Sequence, residues 1–560
     1  MALARWFHNG RQASATASGQ HYRSALQRLL TLVCASTMLL GFALASLMLL
    51  APYAQAKGGV GGGAVPGAIP LSVGAATLPG QPTPFDIVGA IQSFTNTPTG
   101  KYSGTIVVNG ITVQIPQHLV VTLPAAYKTV GQLFLESPVA RQSGLALLDL
   151  PAPIAAYEAT IAGNIVGGVY TAGLVSIAQQ SLNTANGYIR SIIYSTGDLC
   201  VGSTPVGAVS GATACALTDT RVVINDPLGR YGLANGTANG TSKKASPDKR
   251  FSVDADNPTI HARSGYPMCV PRFTPPVNDP TCPMANRPSG STLYVMASLP
   301  MTAPAQFVGL VIPACPSCNA KEQAPLVVGD YITYSGILSN DNDTRGTYVA
   351  AYALEANVGI YTPSGGTPFY MYMDAPLIST GPAACPANAE CQARLKTSIF
   401  MTDPFRTPAL YAVDEDRLGA RTSRPLPSTI TNTGVLGRFV IVVNKDVGVL
   451  GLNVGGVTRE IMGRAIGVGA GASVFYGPLP AGAPAAGTAN GLVAGQYVSP
   501  VGSYIFPEPN IAGGILTPYN FRCLAFLAQG WGGDLPGGVG PLNPFPEAGG
   551  VAPGSVNCAF

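Results

Sequence analysis

The chain has 560 residues, with 31 lysines and arginines against 27 aspartates and glutamates, which gives a formal net charge of +4. Charged residues make up only 10% of the chain, whereas glycine (68) and proline (49) are abundant. Nucleic-acid binding requires a basic surface and is disfavoured by this composition, as are long helices, which glycine and proline interrupt. A chain of this length is expected to form more than one domain.

The amino terminus has the pattern of an export signal. Residues 1–28 contain four arginines and no acidic residue, and residues 29–51 form an uncharged apolar run that is followed by Ala54-Gln55-Ala56. This order predicts a secretory signal peptide, cleaved before Lys57. The apolar run is longer than the ~7–15 residues usual in signal peptides, so an uncleaved membrane anchor is the alternative. Both interpretations place the rest of the chain outside the cytoplasm, as a secreted, periplasmic or cell-surface protein.

Cysteine usage agrees with export. Of the 11 cysteines, Cys34 lies in the apolar run, and the remaining even number favours disulfides in an oxidising compartment. The spacing predicts five local pairs, each of which would stabilise the fold by closing a short loop. These pairs are Cys200–Cys215, Cys269–Cys282, Cys315–Cys318, Cys385–Cys391 and Cys523–Cys558.

Turn and strand patterns predict a mainly β protein with short strands. Asn109-Gly110 stands between two β-branched runs and favours a two-residue type I′ hairpin. Two further hairpins are predicted, and strands are also expected at Phe439–Val443 and Gln496–Val498. The further hairpins join Tyr188–Tyr194 to Asp198–Val201 and Tyr331–Leu338 to Tyr348–Tyr352. Short helices are expected near Val130–Phe134 and Val139–Leu147.

These elements predict two small antiparallel barrel or sandwich domains with long loops. The segments Gly168-Val-Tyr-Thr-Ala172 and Gly346-Thr-Tyr-Val-Ala350 suggest a duplicated barrel of the small OB type. The predicted ranges are residues 1–56 for the signal peptide or anchor, 57–84 for a Gly/Pro-rich linker, 85–218 for β domain 1, 219–305 for a disulfide-stapled loop region, 306–470 for β domain 2 and 471–560 for a Gly/Ala/Pro-rich end.

Catalytic signatures are sparse in the sequence. Beyond residue 56 the chain has two histidines, His118 and His261, and we interpret each as a surface or capping residue. There is no G-x-S-x-G or H-E-x-x-H motif, so no catalytic residue, cofactor or metal site is predicted. Cys315-Pro-Ser-Cys318 is a C-x-x-C pair without a preceding βαβ pattern, which favours a structural staple over thiol–disulfide exchange.

Four segments of residues 221–288 have a recognisable pattern. They are Arg221-Val-Val-Ile-Asn-Asp-Pro-Leu-Gly-Arg-Tyr231, Asp256-Asn-Pro-Thr-Ile260, Ser264-Gly-Tyr-Pro-Met-Cys-Val-Pro-Arg272 and Cys282-Pro-Met-Ala-Asn-Arg-Pro288. This stretch resembles a family of exported proteins of bacteria and filamentous fungi, and the resemblance extends over most of residues 85–420. It implies export and a mostly β fold, and it carries no catalytic residues.

We therefore expect a non-catalytic secreted or cell-surface protein with a structural, matrix or binding role. No nucleic-acid partner is expected, membrane contact is expected only through an uncleaved amino-terminal segment, and self-association through strand edges is a further expectation. One alternative is a secreted hydrolase that acts on polysaccharide through two carboxylates. The other is a periplasmic thiol–disulfide protein that uses Cys315 and Cys318.

Cleavage before Lys57 gives the first testable prediction. Ala54 and Ala56 occupy the positions where signal peptidase accepts small residues, so the exported protein is expected to begin at Lys57. Intact-mass measurement of the exported protein checks this. Recovery of residues 29–51 in a membrane fraction would instead establish the anchor.

Overall fold

The computed structural model describes most of residues 83–505, and strands dominate the part that it describes. No helix in that part has the length and hydropathy to cross a membrane. The described residues are 83–179, 184–205, 212–235, 246–254, 257–340, 346–374, 376–379, 394–415, 421–443, 457–465, 494–500 and 503–505.

The first unit contains seven strands and one short helix. Their bounds are β1 (Thr83–Phe94), β2 (Tyr102–Val108), β3 (Ile111–Pro116), β4 (Val121–Leu123), β5 (Ala126–Lys128), α1 (Val130–Leu135), β6 (Glu158–Val166) and β7 (Val169–Ala178). The strand order is β3-β2-β1-β6-β7-β4-β5, and β3 also pairs with β7 in parallel. Thr129 begins α1 with a capping box that it forms with Gln132.

The second unit repeats this arrangement around a long connection. Its strands are β8 (Thr184–Ile193), β9 (Asp198–Gly202), β10 (Thr220–Ile224), β11 (Ile260–Ala262), β17 (Tyr331–Asn340) and β18 (Thr347–Ala356), in the order β10-β9-β8-β17-β18-β11. Here β10 also pairs with β18 in parallel. The other strands between β10 and β17 are β12 (Met268–Cys269), β13 (Leu293–Val295), β14 (Met301–Thr302), β15 (Val311–Ile312) and β16 (Ala324–Pro325), with 3-10 turns at Lys249–Phe251 and Met284–Asn286.

The third unit contains two sheets among the described residues. Its strands are β20 (Met371–Met373), β21 (Leu377–Ser379), β22 (Arg394–Met401), β23 (Pro408–Glu415), β24 (Arg421–Leu426), β25 (Ser428–Asn432), β26 (Arg438–Val443), β27 (Val457–Ala465), β28 (Gln496–Pro500) and β29 (Ser503–Ile505), and they follow β19 (Gly359–Tyr361), which pairs with β13. One sheet has the order β25-β26-β22-β21-β29, with β20 also on β22, and the other has the order β24-β23-β27-β28. A Cβ on Gly463 of β27 would lie 2.8 Å from the Cδ1 atom of Ile399 on β22, so the two sheets pack closely together there.

The first and second units match strand by strand. β1, β2, β3, β6 and β7 make the same set of pairings as β8, β9, β10, β17 and β18, including the parallel pairing of the third strand with the fifth. Each unit also adds a short strand in parallel to the fifth, β4 in one and β11 in the other. The two segments of the form G-x-Y-x-A lie at the start of β7 and β18, as a duplication would require.

A β-bulge occurs at the same place in both units. The register shifts between Ala162 and Gly163 in the pairing of β6 with β7, and between Ser335 and Gly336 in the pairing of β17 with β18. A Cβ on Gly336 would lie 2.4 Å from the carbonyl oxygen of Ala350, and one on Gly163 would lie 2.1 Å from that of Thr171. Only glycine permits this close backbone approach.

Two large hydrophobic clusters fill the interior. One lies inside the second unit, and the other joins the first unit, the third unit and one face of β18. Arg250, whose side chain is fully buried, links the first two units by donating to the carbonyl oxygens of Leu133 and Ser143 at 2.8 Å each. The Asp248 carboxylate, 2.6 Å away, compensates its charge.

All three predicted hairpins are confirmed, as are the strands predicted at Phe439–Val443 and Gln496–Val498. Asn109 and Gly110 have φ values of 52° and 76°, as a type I′ turn requires. The helix predicted near Val130–Phe134 is confirmed, but the one at Val139–Leu147 is wrong. Arg141 and Gly144 have positive φ there, which no α-helix contains.

The sheets group the strands differently from the predicted ranges. The sheet of the second unit takes β8 and β9 from residues 85–218 and takes β17 and β18 from residues 306–470. Residues 219–305 contain β10 and β11 of that same sheet, together with part of the connection between β10 and β17. The predicted end at 471–560 includes two strands, β28 and β29.

Gly336→Ala tests whether the bulge holds the second unit together. The added Cβ would meet backbone and not a flexible side chain, so we expect a loss of more than about 2 kcal/mol in the free energy of unfolding. Gly131→Ala in α1 is the control, because its Cβ has room, and we expect a neutral effect or a gain of up to ~1 kcal/mol. Denaturant unfolding measures both, and equal stability of the two variants would contradict this role of the bulge.

Candidate functional site

Glu355 and His261 form a polar pair on the outer face of the second unit. They are direct partners in the parallel pairing of β11 with β18. Their neighbours Leu354, Ala356, Ile260 and Ala262 all lie in the core of that unit. Because side chains alternate along a strand, Glu355 and His261 lie on the opposite face of the sheet from this core.

The third unit presents a complementary face. Met371 and Met373 of β20 and Ile399 of β22 point into the large shared cluster, so strand alternation places Tyr372 and Phe400 on the opposite face, although Tyr372 also packs partly against that cluster. Asp374 follows β20, and its backbone N–H donates to the carbonyl oxygen of Ser398 at 2.9 Å. Arg438 on β26 lies opposite Phe400, with its guanidinium carbon 5.4 Å from the ring centroid. Its Nη2 lies 3.4 Å from the Ser398 hydroxyl.

Aromatic stacking joins the two faces. The ring of His261 stacks on that of Tyr372 at a centroid distance of 4.0 Å, and Tyr497 meets Tyr372 edge-on at 5.4 Å. Gly265, in the turn after β11, brings the backbones close, since a Cβ there would lie 3.0 Å from the Tyr372 nitrogen. We call the half-buried group formed by Glu355, Asp374, Arg438 and the exposed Arg263, with Tyr372 and Phe400 beside them, the junction site.

The two carboxyl groups of the junction site have raised pKa values. Burial raises the pKa of Glu355 to about 7, and the nearby Asp374 charge adds to this while Arg263 and Arg438 oppose it. Burial also raises the pKa of Asp374 to about 6, against the opposing effects of Arg438 and of the hydrogen bond from Ser398. Two acidic groups thus face two guanidinium groups, and the set approaches electrical balance above about pH 7, where both carboxyl groups are ionised.

His261 is a neutral member of this group. Burial lowers the pKa of His261 to about 4, and its Nδ1 lies 2.8 Å from the carbonyl oxygen of Ala262. A carbonyl only accepts hydrogen bonds, so Nδ1 carries the proton. The prediction that His261 is a surface or capping residue is therefore wrong, because the ring is 4% exposed and belongs to a strand. His118 lies in the exposed turn after β3, as predicted.

The matching positions of the first unit carry different chemistry. When the two bulges are aligned, Ser176 of β7 occupies the position of Glu355. Ser176 pairs with Thr122 of β4 in parallel, so Thr122 occupies the position of His261. The first unit forms the same pairings with two small hydroxyl residues there. The fold alone therefore does not require a carboxyl group or an imidazole at these positions.

Three of the predicted cysteine pairs are disulfide-bonded in the structure: Cys200–Cys215, Cys269–Cys282 and Cys315–Cys318. Disulfides indicate an oxidising environment. Cys315 and Cys318 span a turn after β15, and a turn supplies no helix dipole to lower a thiol pKa. The other two predicted pairs, Cys385–Cys391 and Cys523–Cys558, lie outside the described residues.

Sequence reasoning missed Glu355 and Asp374. One signal was present, since Glu355 is an acidic residue in the otherwise uncharged strand Thr347–Ala356. The pattern Met371-Tyr-Met373 likewise placed Asp374 on the outer face. What brings the two together is the packing of one unit on another, which no local pattern contains. Within the described ranges, no group of three or more His, Cys, Asp and Glu residues is arranged to hold a metal ion.

No family model, curated protein or solved structure matches this chain.

The raised pKa of Glu355 makes stability depend on pH. Between its ordinary value of 4.5 and about 7, the folded protein keeps a proton that the unfolded chain loses, so rising pH lowers stability through this window. Glutamine does not titrate. We therefore expect the stability of Glu355→Gln relative to the unmodified protein to increase from pH 4.5 to 7 and then to level off.

Thermal unfolding midpoints at pH 4.5 to 8 measure this difference. The lowered pKa of His261 changes the stability in the opposite direction with pH, but both proteins contain His261 and this contribution cancels in the comparison. Ser176→Ala, at the matching position of the first unit, is the control, and its unfolding midpoint should differ from that of the unmodified protein by the same amount at every pH. A pH-independent difference for Glu355→Gln would contradict the raised pKa.

Proposed function

We propose that this chain is a non-catalytic, extracytoplasmic β protein that binds a neutral polysaccharide at the junction site. The observation that carries the proposal is the half-buried set of two carboxyl and two guanidinium groups beside aromatic rings, where the second and third units meet. The three disulfides and the predicted export signal support a location outside the cytoplasm.

The chemistry of the junction site suits hydroxyl groups. A sugar hydroxyl both donates and accepts, arginine only donates, and an ionised carboxylate only accepts. A site that holds both kinds of group can therefore donate hydrogen bonds to neighbouring sugar hydroxyls and accept hydrogen bonds from them. Balanced charge gives little attraction to a strongly anionic or cationic ligand. The flanking rings of Tyr372 and Phe400 provide apolar surface for the faces of sugar rings.

We further propose that the first and second units are closed barrels of the OB type. The cyclic order of pairings supports this: first strand to second and fourth, second to third, fourth to fifth, and third to fifth in parallel. Barrels of this type bind oligosaccharides and oligonucleotides in other proteins. The low charge of this chain favours the former.

A polysaccharide hydrolase is the second candidate. Glycoside hydrolysis uses one protonated and one ionised carboxyl group, and pKa values of about 7 for Glu355 and about 6 for Asp374 allow that division near pH 6.5. The two candidates differ in what happens to the bound polymer. A binding protein retains the polymer unchanged, whereas a hydrolase releases new reducing ends.

Affinity electrophoresis through gels that contain neutral polysaccharides (xylan, β-1,3-glucan, soluble cellulose derivatives, starch) tests the proposal. We expect one polymer to retard the protein, with no release of reducing ends at pH 5 to 8. At pH 8, where both carboxyl groups are ionised, Glu355→Gln combined with Asp374→Asn should weaken retention at least tenfold, because each change removes a charge-assisted hydrogen bond, worth about 1.5–3 kcal/mol.

Ser176→Ala combined with Thr122→Ala is the matched control in the first unit and should leave retention unchanged. If the double variant of the junction site is retarded as strongly as the control, the polysaccharide does not bind at the junction site. Release of reducing ends that falls about 10²–10⁴-fold in the Glu355 and Asp374 variants would establish the hydrolase instead.

A further inference from the structure

An aromatic pair lies beside the junction site on the same sheet face. Tyr188 of β8 and Tyr331 of β17 are direct register partners, and their half-buried rings meet edge-on at a centroid distance of 5.0 Å. Tyr331 is two residues from Thr333, which is the partner of Glu355 on β18. Residues two apart on a strand share a face, so Tyr331 and Glu355 lie on the same surface, about 8 Å apart along the diagonal.

The register extends this face into a continuous track. One row runs across the sheet from Asn186 through Thr333 and Glu355 to His261. The next row contains Tyr188 and Tyr331. Asn186 is exposed and Thr333 is partly exposed, so polar groups connect the aromatic pair to the junction site along the surface.

The first unit shows that the fold does not need this aromatic pair. Its matching positions are Ala90 and Glu158, which are partners in the pairing of β1 with β6. The matching row contains Val88, Thr160, Ser176 and Thr122. Only one position has the same residue in both units: Thr160 on β6 matches Thr333 on β17. The second unit thus differs from the first by an aromatic pair and by the carboxyl group of Glu355 and the imidazole of His261, all on one face.

We propose that Tyr188 and Tyr331 form a second subsite, which holds the sugars of a neutral polysaccharide next to those bound at the junction site. This inference rests on the proposed function and adds the direction and length of the bound chain. Paired tyrosine rings offer rigid apolar surface with a polar edge, which suits the alternating faces and hydroxyls of a sugar chain. The bound chain crosses β8, β17 and β18 toward Asp374.

Length dependence of binding tests the second subsite. Oligosaccharides of increasing length, prepared from the polymer that retards the protein most, are titrated calorimetrically. Tyr331→Ala should weaken binding of long oligosaccharides roughly tenfold and leave the shortest bound oligosaccharide unaffected, because that one fits within the junction site. Tyr331→Phe, which keeps the ring, should restore most of the affinity.

Glu158→Ala is the control at the matching position, and it should change neither titration. Equal affinity of Tyr331→Ala and the unmodified protein for long oligosaccharides would overturn the second subsite, as would an equal loss for short and long ones. Failure of the proposed function gives a different result: the Glu355→Gln, Asp374→Asn variant binds every length as the unmodified protein does, or no neutral polysaccharide binds at all.

Discussion

The β-bulge at Gly336 determines which way the end of β18 faces, and the junction site depends on it. Before the bulge, Val349 and Ala351 point into the core of the second unit, whereas Tyr348, Ala350 and Tyr352 join the larger shared cluster. With strict alternation, Glu355 would follow Val349 and Ala351 into the core. The extra residue at the bulge reverses the phase, so that Leu354 and Ala356 fill the core and Glu355 points outward.

The phase change allows one strand to serve two units. The first part of β18 packs its outer face against the rest of the shared cluster, and Glu355 in the last part faces Asp374 and Arg438 of the third unit, while its partner His261 stacks on Tyr372. Apolar burial accounts for the first contact, and stacking with a balanced set of charges accounts for the second. Because the first unit has the same bulge but small hydroxyl residues at the matching positions, both units have the backbone arrangement and only the second places a carboxyl group and an imidazole on it.

Local patterns in the sequence were enough to predict the mainly β class, three hairpins and three disulfides that the structure contains. Asn109-Gly110 illustrates why, since its turn geometry depends on two residues and their nearest neighbours. The pairing of β8 with β17 joins residues about 150 positions apart, and no local pattern specifies it. His261 was misread for the same reason: its burial comes from Tyr372, more than 100 residues away. The site itself depends on such distant contacts.

A crystal structure of the protein with a bound neutral oligosaccharide tests the central claim most directly, because the two matching units provide an internal comparison. We expect sugar density across the outer face of the second unit, in contact with the Glu355 and Asp374 carboxyl groups and with Arg438. We expect none over Ser176 and Thr122 of the first unit. Sugar bound equally on both units, or only at a place remote from Glu355, would contradict it.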